Sequence, residues 1–257
     1  MELFYREYGS GDRYLIILHG LFGMSDNWAG LARKFSETHH VIVPDARNHG
    51  RSPHSPDFSL ELMVDDLNKL FDKLAIKNMS LLGHSMGGRV AMNYTLAFPE
   101  RVNRLIVADM SLRKGKLRPE HKAILGALSL VNLSNKKSYA EIEKALSRFV
   151  KNKRRLQFVL KNIIRSDEGF IWKLNPRAIV KNMGNIMPEL VSDIRFYNPS
   201  LFIRGGESDF ILEKDKPAIF EHFPKAEIKT IEGASHWLHA DNPELFTRYV
   251  MDFLNKS

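Results

Sequence analysis

Gly83-His84-Ser85-Met86-Gly87 sets a serine between two glycines, just after the apolar pair Leu81-Leu82 and just before a helical pattern. A strand that turns sharply into a helix puts the side chain at the turn out of the backbone. Glycines on either side relieve the crowding of such a turn, and the helix N-terminus behind it favours developing negative charge. Ser85 is therefore a candidate nucleophile. A serine hydroxyl is a weak nucleophile until a base removes its proton. Of the ten histidines, His236 is the best placed. It follows the strand pattern Ile228–Ile231, sits in the small-residue loop "EGASHWLH" and precedes the last helical pattern. His239, in the same loop, is the second candidate and reads as a rim residue.

The base needs a carboxylate to hold its tautomer and to stabilise the imidazolium. Two aspartates meet that need. Asp109 follows "LIVA", one strand after the nucleophile, and Asp209 follows "LFIRGGES", which gives the chain order Ser, Asp, His. Acyl transfer also requires donors for the oxyanion. The backbone N–H of Met86 is one candidate. The N–H of Leu21 or Phe22, in the early loop "HGLFG", is the other. The polar run "DARNHGRS", Asp45–Ser52, stands at another strand end and reads chiefly as a network that positions its neighbours, with contact of Arg47 or His49 to substrate the lesser option.

These residues need a scaffold that gathers strand ends. Strand patterns, Tyr14–Gly20, His40–Gly50 (ending in a polar loop), Met79–Leu82 and Arg104–Asp109, alternate with helical patterns such as Asp26–Phe35. Leu60, Met63, Leu67, Leu70 and Leu74 recur at three and four residues, so a helix is expected there with Ser59 as its N-cap. Alternation of this kind predicts an α/β fold with a mostly parallel, doubly wound sheet whose ligands bind beyond the carboxyl ends of the strands. His19, Asp45, Ser85 and Asp109 all fall at such ends. From Arg113 to Tyr197 the patterns turn mostly helical. That segment carries 19 Lys/Arg against 7 Asp/Glu, a net of +12, while the rest of the chain nets −4. We read residues 113–197 as a helical cap inserted between late strands, with 1–112 and 198–257 forming the core. Leu156, Val159, Leu160, Ile163 and Ile164 are expected on one helix with an apolar and a basic face.

Composition narrows the rest. With 257 residues, 44% hydrophobic, the chain can bury a large core, and with no cysteine it has neither disulfides nor thiolate metal sites. No apolar run reaches membrane-spanning length, and the N-terminus lacks the basic start and apolar stretch of a signal peptide, so a cytoplasmic location is expected. Neither a cofactor nor a metal is expected. Nucleic acid is not expected as a partner despite the net charge of +8, because the excess is confined to one segment and no nucleic-acid module is present. The reading sets no oligomeric state.

"HGLFG" followed by "NW", then "DARNHGRS", "GHSMGG" and "SHWLH", together resemble the α/β-hydrolase superfamily. More narrowly they are similar to its small cytosolic YbfF-type esterases and their abhydrolase-domain relatives. The resemblance covers the sheet portions, and it implies an ester or thioester hydrolase working through Ser85 and His236 without a cofactor. In that narrow group the acid follows the sixth strand, which points to Asp109, whereas the wider superfamily's position corresponds to Asp209. Ser235 stands where the family usually has glycine. The expected function is cleavage of carboxylic esters or thioesters of small to medium acyl groups through an acyl-enzyme. Anionic substrates such as acyl-CoA are the sharper expectation from the basic segment. The alternatives are a lyase or carbon–carbon bond hydrolase, as in the menaquinone-pathway synthase, and a non-enzymatic ligand-binding protein.

Overall fold

The computed structural model describes residues 1–167 and 169–256. In chain order the strands are β1 (Tyr5–Tyr8), β2 (Tyr14–Leu18), β3 (His40–Pro44), β4 (Met79–His84), β5 (Val102–Ala108), β6 (Ile163–Ser166), β7 (Gly169–Trp172), β8 (Ser200–Gly205) and β9 (Ala226–Ile231). The helices are α1 (Ala29–Phe35), α2 (Leu60–Lys73), α3 (Met86–Ala97), α4 (Pro119–Leu130), α5 (Tyr139–Leu146), α6 (Lys153–Leu160), α7 (Pro176–Lys181), α8 (Lys216–His222), α9 (Leu238–Asp241) and α10 (Pro243–Leu254).

Seven strands form one sheet in the order β1-β3-β2-β4-β5-β8-β9. β1 pairs antiparallel with β3, and every other pair is parallel. Central parallel strands are covered on both faces, so their sequences read as unbroken apolar runs rather than alternating ones. Leu15–Ile17, Val41–Val43, Leu81–Leu82, Leu105–Val107 and Leu201–Ile203 are accordingly all buried. Two apolar layers flank the sheet. One gathers α2, α3 and residues of the inserted segment, and the other gathers α1 and α10 around Trp28, Phe35 and Phe246. The spacing of Phe246, Val250 and Phe253 turns one stripe of α10 inward, each buried side chain contributing about 1.5–3 kcal/mol. The expected helix over Leu60–Leu74 forms as α2, and the Ser59 hydroxyl accepts from the Leu62 N–H at 3.3 Å.

Between β5 and β8 the chain leaves the sheet and builds α4 to α7. It also builds something the helical reading did not expect. α6 stops at Leu160, and Ile163 and Ile164 lie in the antiparallel hairpin β6–β7, not on the helix with Leu156 and Val159. Spacing at three and four residues cannot separate a continued helix from a short strand. Here two adjacent β-branched residues favour extended backbone, and Gly169, at φ +117°, begins the second strand in a conformation only glycine takes readily. Asn162, between helix and strand, is fully buried and donates from Nδ2 to the Phe22 carbonyl at 2.9 Å. The insert is thereby tied to the early "HGLFG" loop.

Candidate active site

Four strand ends converge at the carboxyl edge of the sheet. β4 runs into Ser85, β5 into Asp109, β2 into the loop 19–23 and β9 into the loop holding His236. Ser85 takes φ +55°, ψ −118°, a conformation costly for a residue with a Cβ, of order 1–3 kcal/mol. Its neighbours show how the turn is accommodated. A Cβ on Gly83 would lie 2.2 Å from the Gly87 carbonyl oxygen, and one on Gly87 would lie 2.2 Å from the Leu18 carbonyl oxygen. Only glycine lets β4, α3 and β2 approach so closely, and that approach aims Ser85 Oγ out of the sheet.

The Ser85 hydroxyl lies 2.9 Å from His236 Nε2, and His236 Nδ1 lies 2.7 Å from Asp109 Oδ2. A carboxylate at Nδ1 favours the tautomer protonated there, which leaves Nε2 as acceptor for the serine proton. Asp109 is fully buried and accepts two further hydrogen bonds. The Gly205 N–H donates to Oδ1 at 3.1 Å, and the Ser208 hydroxyl donates to Oδ2. Asp109 sits at φ +51°, a left-handed backbone like that of Ser85.

The other aspartate goes elsewhere. The Asp209 side chain is 65% exposed and pairs with Arg118 of the insert. That guanidinium holds its carboxyl below the ordinary carboxylate range. The Asp209 backbone carbonyl also accepts from Arg113. Asp209 thus joins the sheet to the insert and does not touch His236. The next residue, Phe210, stacks on the His236 ring with centroids 3.7 Å apart, and the Arg118 guanidinium lies 3.8 Å from the same phenyl centroid. His239, the second candidate base, stacks on Trp28 at 4.6 Å and hydrogen-bonds neither Ser85 nor a carboxylate. Burial pushes it down to about 3, so it stays neutral. Ser235 ties the loop down: its N–H and hydroxyl donate to Asp241 at 2.9 and 2.6 Å.

Of the three candidate backbone donors for the two oxyanion positions, two remain free. The Met86 and Leu21 N–H groups have no protein acceptor among the described residues. Phe22 is the correction. In left-handed backbone at φ +63°, its N–H donates instead to His49 Nε2 at 3.2 Å. His49 Nδ1–H in turn donates to the Arg47 carbonyl at 2.9 Å. The "DARNHGRS" run is a positioning network, as its polar density suggested. Asp45 accepts from the N–H groups of Ser25 and Arg51, Arg47 is spent on a buried ion pair with Asp66, and His19 Nε2 accepts from the Ala46 N–H. Neither Arg47 nor His49 reaches the clefts beside Ser85.

These buried histidines have a consequence for stability. Burial and the neighbouring His19 push His49 down to about 3, so the folded protein keeps it neutral where the unfolded chain takes up a proton. Stability is therefore complete above the ordinary histidine value and is lost as the pH falls below it. From about pH 6.5 to about pH 5 the loss from His49 alone is expected to be about 2 kcal/mol. Denaturant unfolding of the wild type and His49→Gln at about pH 7.5 and about pH 5 measures it. The mutant should show the smaller pH dependence, and a wild type equally stable at both values would refute the assignment.

Two clefts meet at Ser85 and share Leu21 and His121 as well. One exposes mostly apolar surface, with Phe22, Trp28, Ile124, Phe158 and Trp237 in its wall, the His236 ring beside it, and Glu120 and Arg155 as its charged groups. The other holds Met86 and a series of cations. Sequence patterning could not find His121, Phe158 or Phe210, because their placement depends on how the insert lies over the sheet.

Comparison with known proteins agrees with this architecture. A family model described as the alpha/beta hydrolase fold matches residues 14–130. The sn-1-specific diacylglycerol lipase ABHD11 of Danio rerio is 36% identical, over 96% of this chain and 80% of its own. Esterase YbfF of Escherichia coli (strain K12) is 30% identical, over 94% of this chain and 92% of its own. Among solved structures, a marine microorganism esterase superposes with a TM-score of 0.95 at 43% identity, covering 98% of this chain and 99% of that one. With relatives this similar over nearly the whole chain, the protein belongs to the α/β-hydrolase fold family, in its esterase branch.

Proposed function

We propose that this protein, a carboxylic ester hydrolase, works through Ser85 as nucleophile, His236 as general base and acid, and Asp109 as the carboxylate that orients His236. The observation that carries the reading is the unbroken chain from Ser85 through His236 to Asp109, at 2.9 and 2.7 Å, at the junction of two clefts. Ser85 Oγ forms a bond to the acyl carbon while its proton passes to His236 Nε2. The free N–H groups of Met86 and Leu21 receive the oxyanion. His236 returns the proton to the leaving oxygen as its bond to carbon breaks. Water, deprotonated by the same ring, then releases the acid and restores the serine.

Residues 113–197 serve as a cap. Support comes from His121, Ile124, Arg155 and Phe158, which reach from the insert into the cleft wall. Thioesters fit the same steps, since a thiolate leaves more easily than an alkoxide and needs no further group. Side chains of the insert wall both clefts, which favours small to medium acyl groups. Steady-state hydrolysis of p-nitrophenyl esters from acetate to decanoate, with matched acyl-CoA thioesters alongside, tests the reading. Turnover with a defined chain-length optimum is expected. A folded protein that turns over none of them would overturn it.

A further inference from the structure

Resting on that reading, the geometry points to a substrate whose acyl group carries its own carboxylate, an ester of a short dicarboxylic acid. The two arms of the substrate are assigned by the chemistry at Ser85. The leaving oxygen has to lie within reach of His236 Nε2, which protonates it, so the leaving group runs into the cleft that the His236 ring lines. That cleft exposes mostly apolar surface, and its two charged groups, Glu120 and Arg155, face each other at 3.9 Å. The carbonyl oxygen faces the Met86 and Leu21 N–H groups, and the acyl substituent extends to the remaining side, into the cleft that Met86 lines.

That second cleft is basic in a way surface charge does not explain. Arg89, Arg113, Lys114, Lys116, Arg118 and Lys214 line it, against Asp209 as the one carboxylate in its wall. Asp209 is taken by Arg118, and Arg113 is paired with Asp215 at 3.5 Å. Arg89, Lys114, Lys116 and Lys214 make no ion pair among the described residues. Arg89 is the most informative of them. It follows Ser85 by four residues, one turn of α3, about 6 Å along the helix axis. It is only 5% exposed, and its guanidinium donates to the carbonyls of Pro188 and Arg113 at 2.7 and 2.6 Å, with no carboxylate to balance it. A buried cation without a counter-charge is costly. Burial and Arg113 lower it, yet only to about 10, so it stays charged at neutral pH. At the divide between the clefts, His121 Nδ1 is buried with no hydrogen-bond partner among the described residues. A fixed positive charge and a free polar atom, both in the wall of the cleft that opens at Ser85, match an anion delivered with the acyl group.

The test compares monophenyl adipate with phenyl hexanoate, which has a methyl group in place of the distal carboxylate, and with 4-carboxyphenyl hexanoate, which moves the charge to the leaving group. Hydrolysis of the first gives phenol and adipate by the steps above. Wild type should show kcat/KM at least about tenfold higher for monophenyl adipate than for phenyl hexanoate, the size expected of one charged hydrogen bond. The preference should shrink as ionic strength rises. It should fall about tenfold in Arg89→Gln. Because Arg89 also holds two backbone carbonyls, the triple variant Lys114→Gln/Lys116→Gln/Lys214→Gln at the exposed rim is measured beside it and should lose preference as well. Hydrolysis of phenyl hexanoate with no advantage for the adipate ester would overturn the inference while leaving the serine-esterase reading standing. An advantage only for 4-carboxyphenyl hexanoate would place the anion on the leaving group and overturn the assignment of the arms. No hydrolysis of any of the three would sink both readings.

Discussion

Ser85→Ala is expected to lower kcat by about 10⁶ while the protein still folds and binds substrate, with a residual rate set by the oxyanion donors and the clefts. The physical reason is the division of labour. Without Oγ there is no covalent intermediate, and a water in its place lacks the fixed geometry of a serine whose turn is built by Gly83 and Gly87. His236→Ala should cost nearly as much, since the hydroxyl then has no base at 2.9 Å. The double variant should be scarcely worse than either alone, because residues that act as one unit are not additive. Single-turnover and steady-state rates on a p-nitrophenyl ester measure all three. A Ser85→Ala rate within tenfold of the wild type would remove the nucleophile assignment.

The second large effect separates two aspartates. Asp109→Asn should lower kcat by about 10⁴, the cost of turning the imidazole into the wrong tautomer in a serine triad. An amide in that site, already receiving the Gly205 N–H and facing Ser208, directs its own NH₂ toward His236 Nδ1. The ring proton then sits on Nε2, where it points at the serine and cannot accept from it. Asp209→Asn should cost less than tenfold, because that carboxylate is exposed and bound to Arg118, not to His236. The effect it does have should appear as a looser hold of the insert, in KM before kcat. Steady-state kinetics of the two variants decides between them: equal losses, or a larger loss for Asp209→Asn, would reverse the assignment.

The amino-acid sequence by itself determined a good deal of this. Apolar runs buried on both faces identify the parallel strands, and a serine between glycines at the junction of strand and helix identifies the strained turn, because both are local consequences of sterics and burial. The same holds for the helix capped by Ser59 and for the loop histidine after β9. Which of Asp109 and Asp209 lies against His236 is set only by the tertiary structure. Both stand at strand ends one strand apart, and which one meets His236 depends on side-chain direction and on where Arg118 arrives from the insert. The same is true of Leu21 against Phe22, where the left-handed backbone of Phe22 and a histidine 27 residues away decide which N–H stays free. The hairpin at Ile163 and Ile164 escaped the helical reading because a short apolar run has no period long enough to tell strand from helix. The division of the site into an apolar and a basic cleft is likewise non-local. It arises where residues 113–197, a segment netting +12 between β5 and β8, lie against the sheet's carboxyl edge, and no residue's own neighbours in the chain encode that contact.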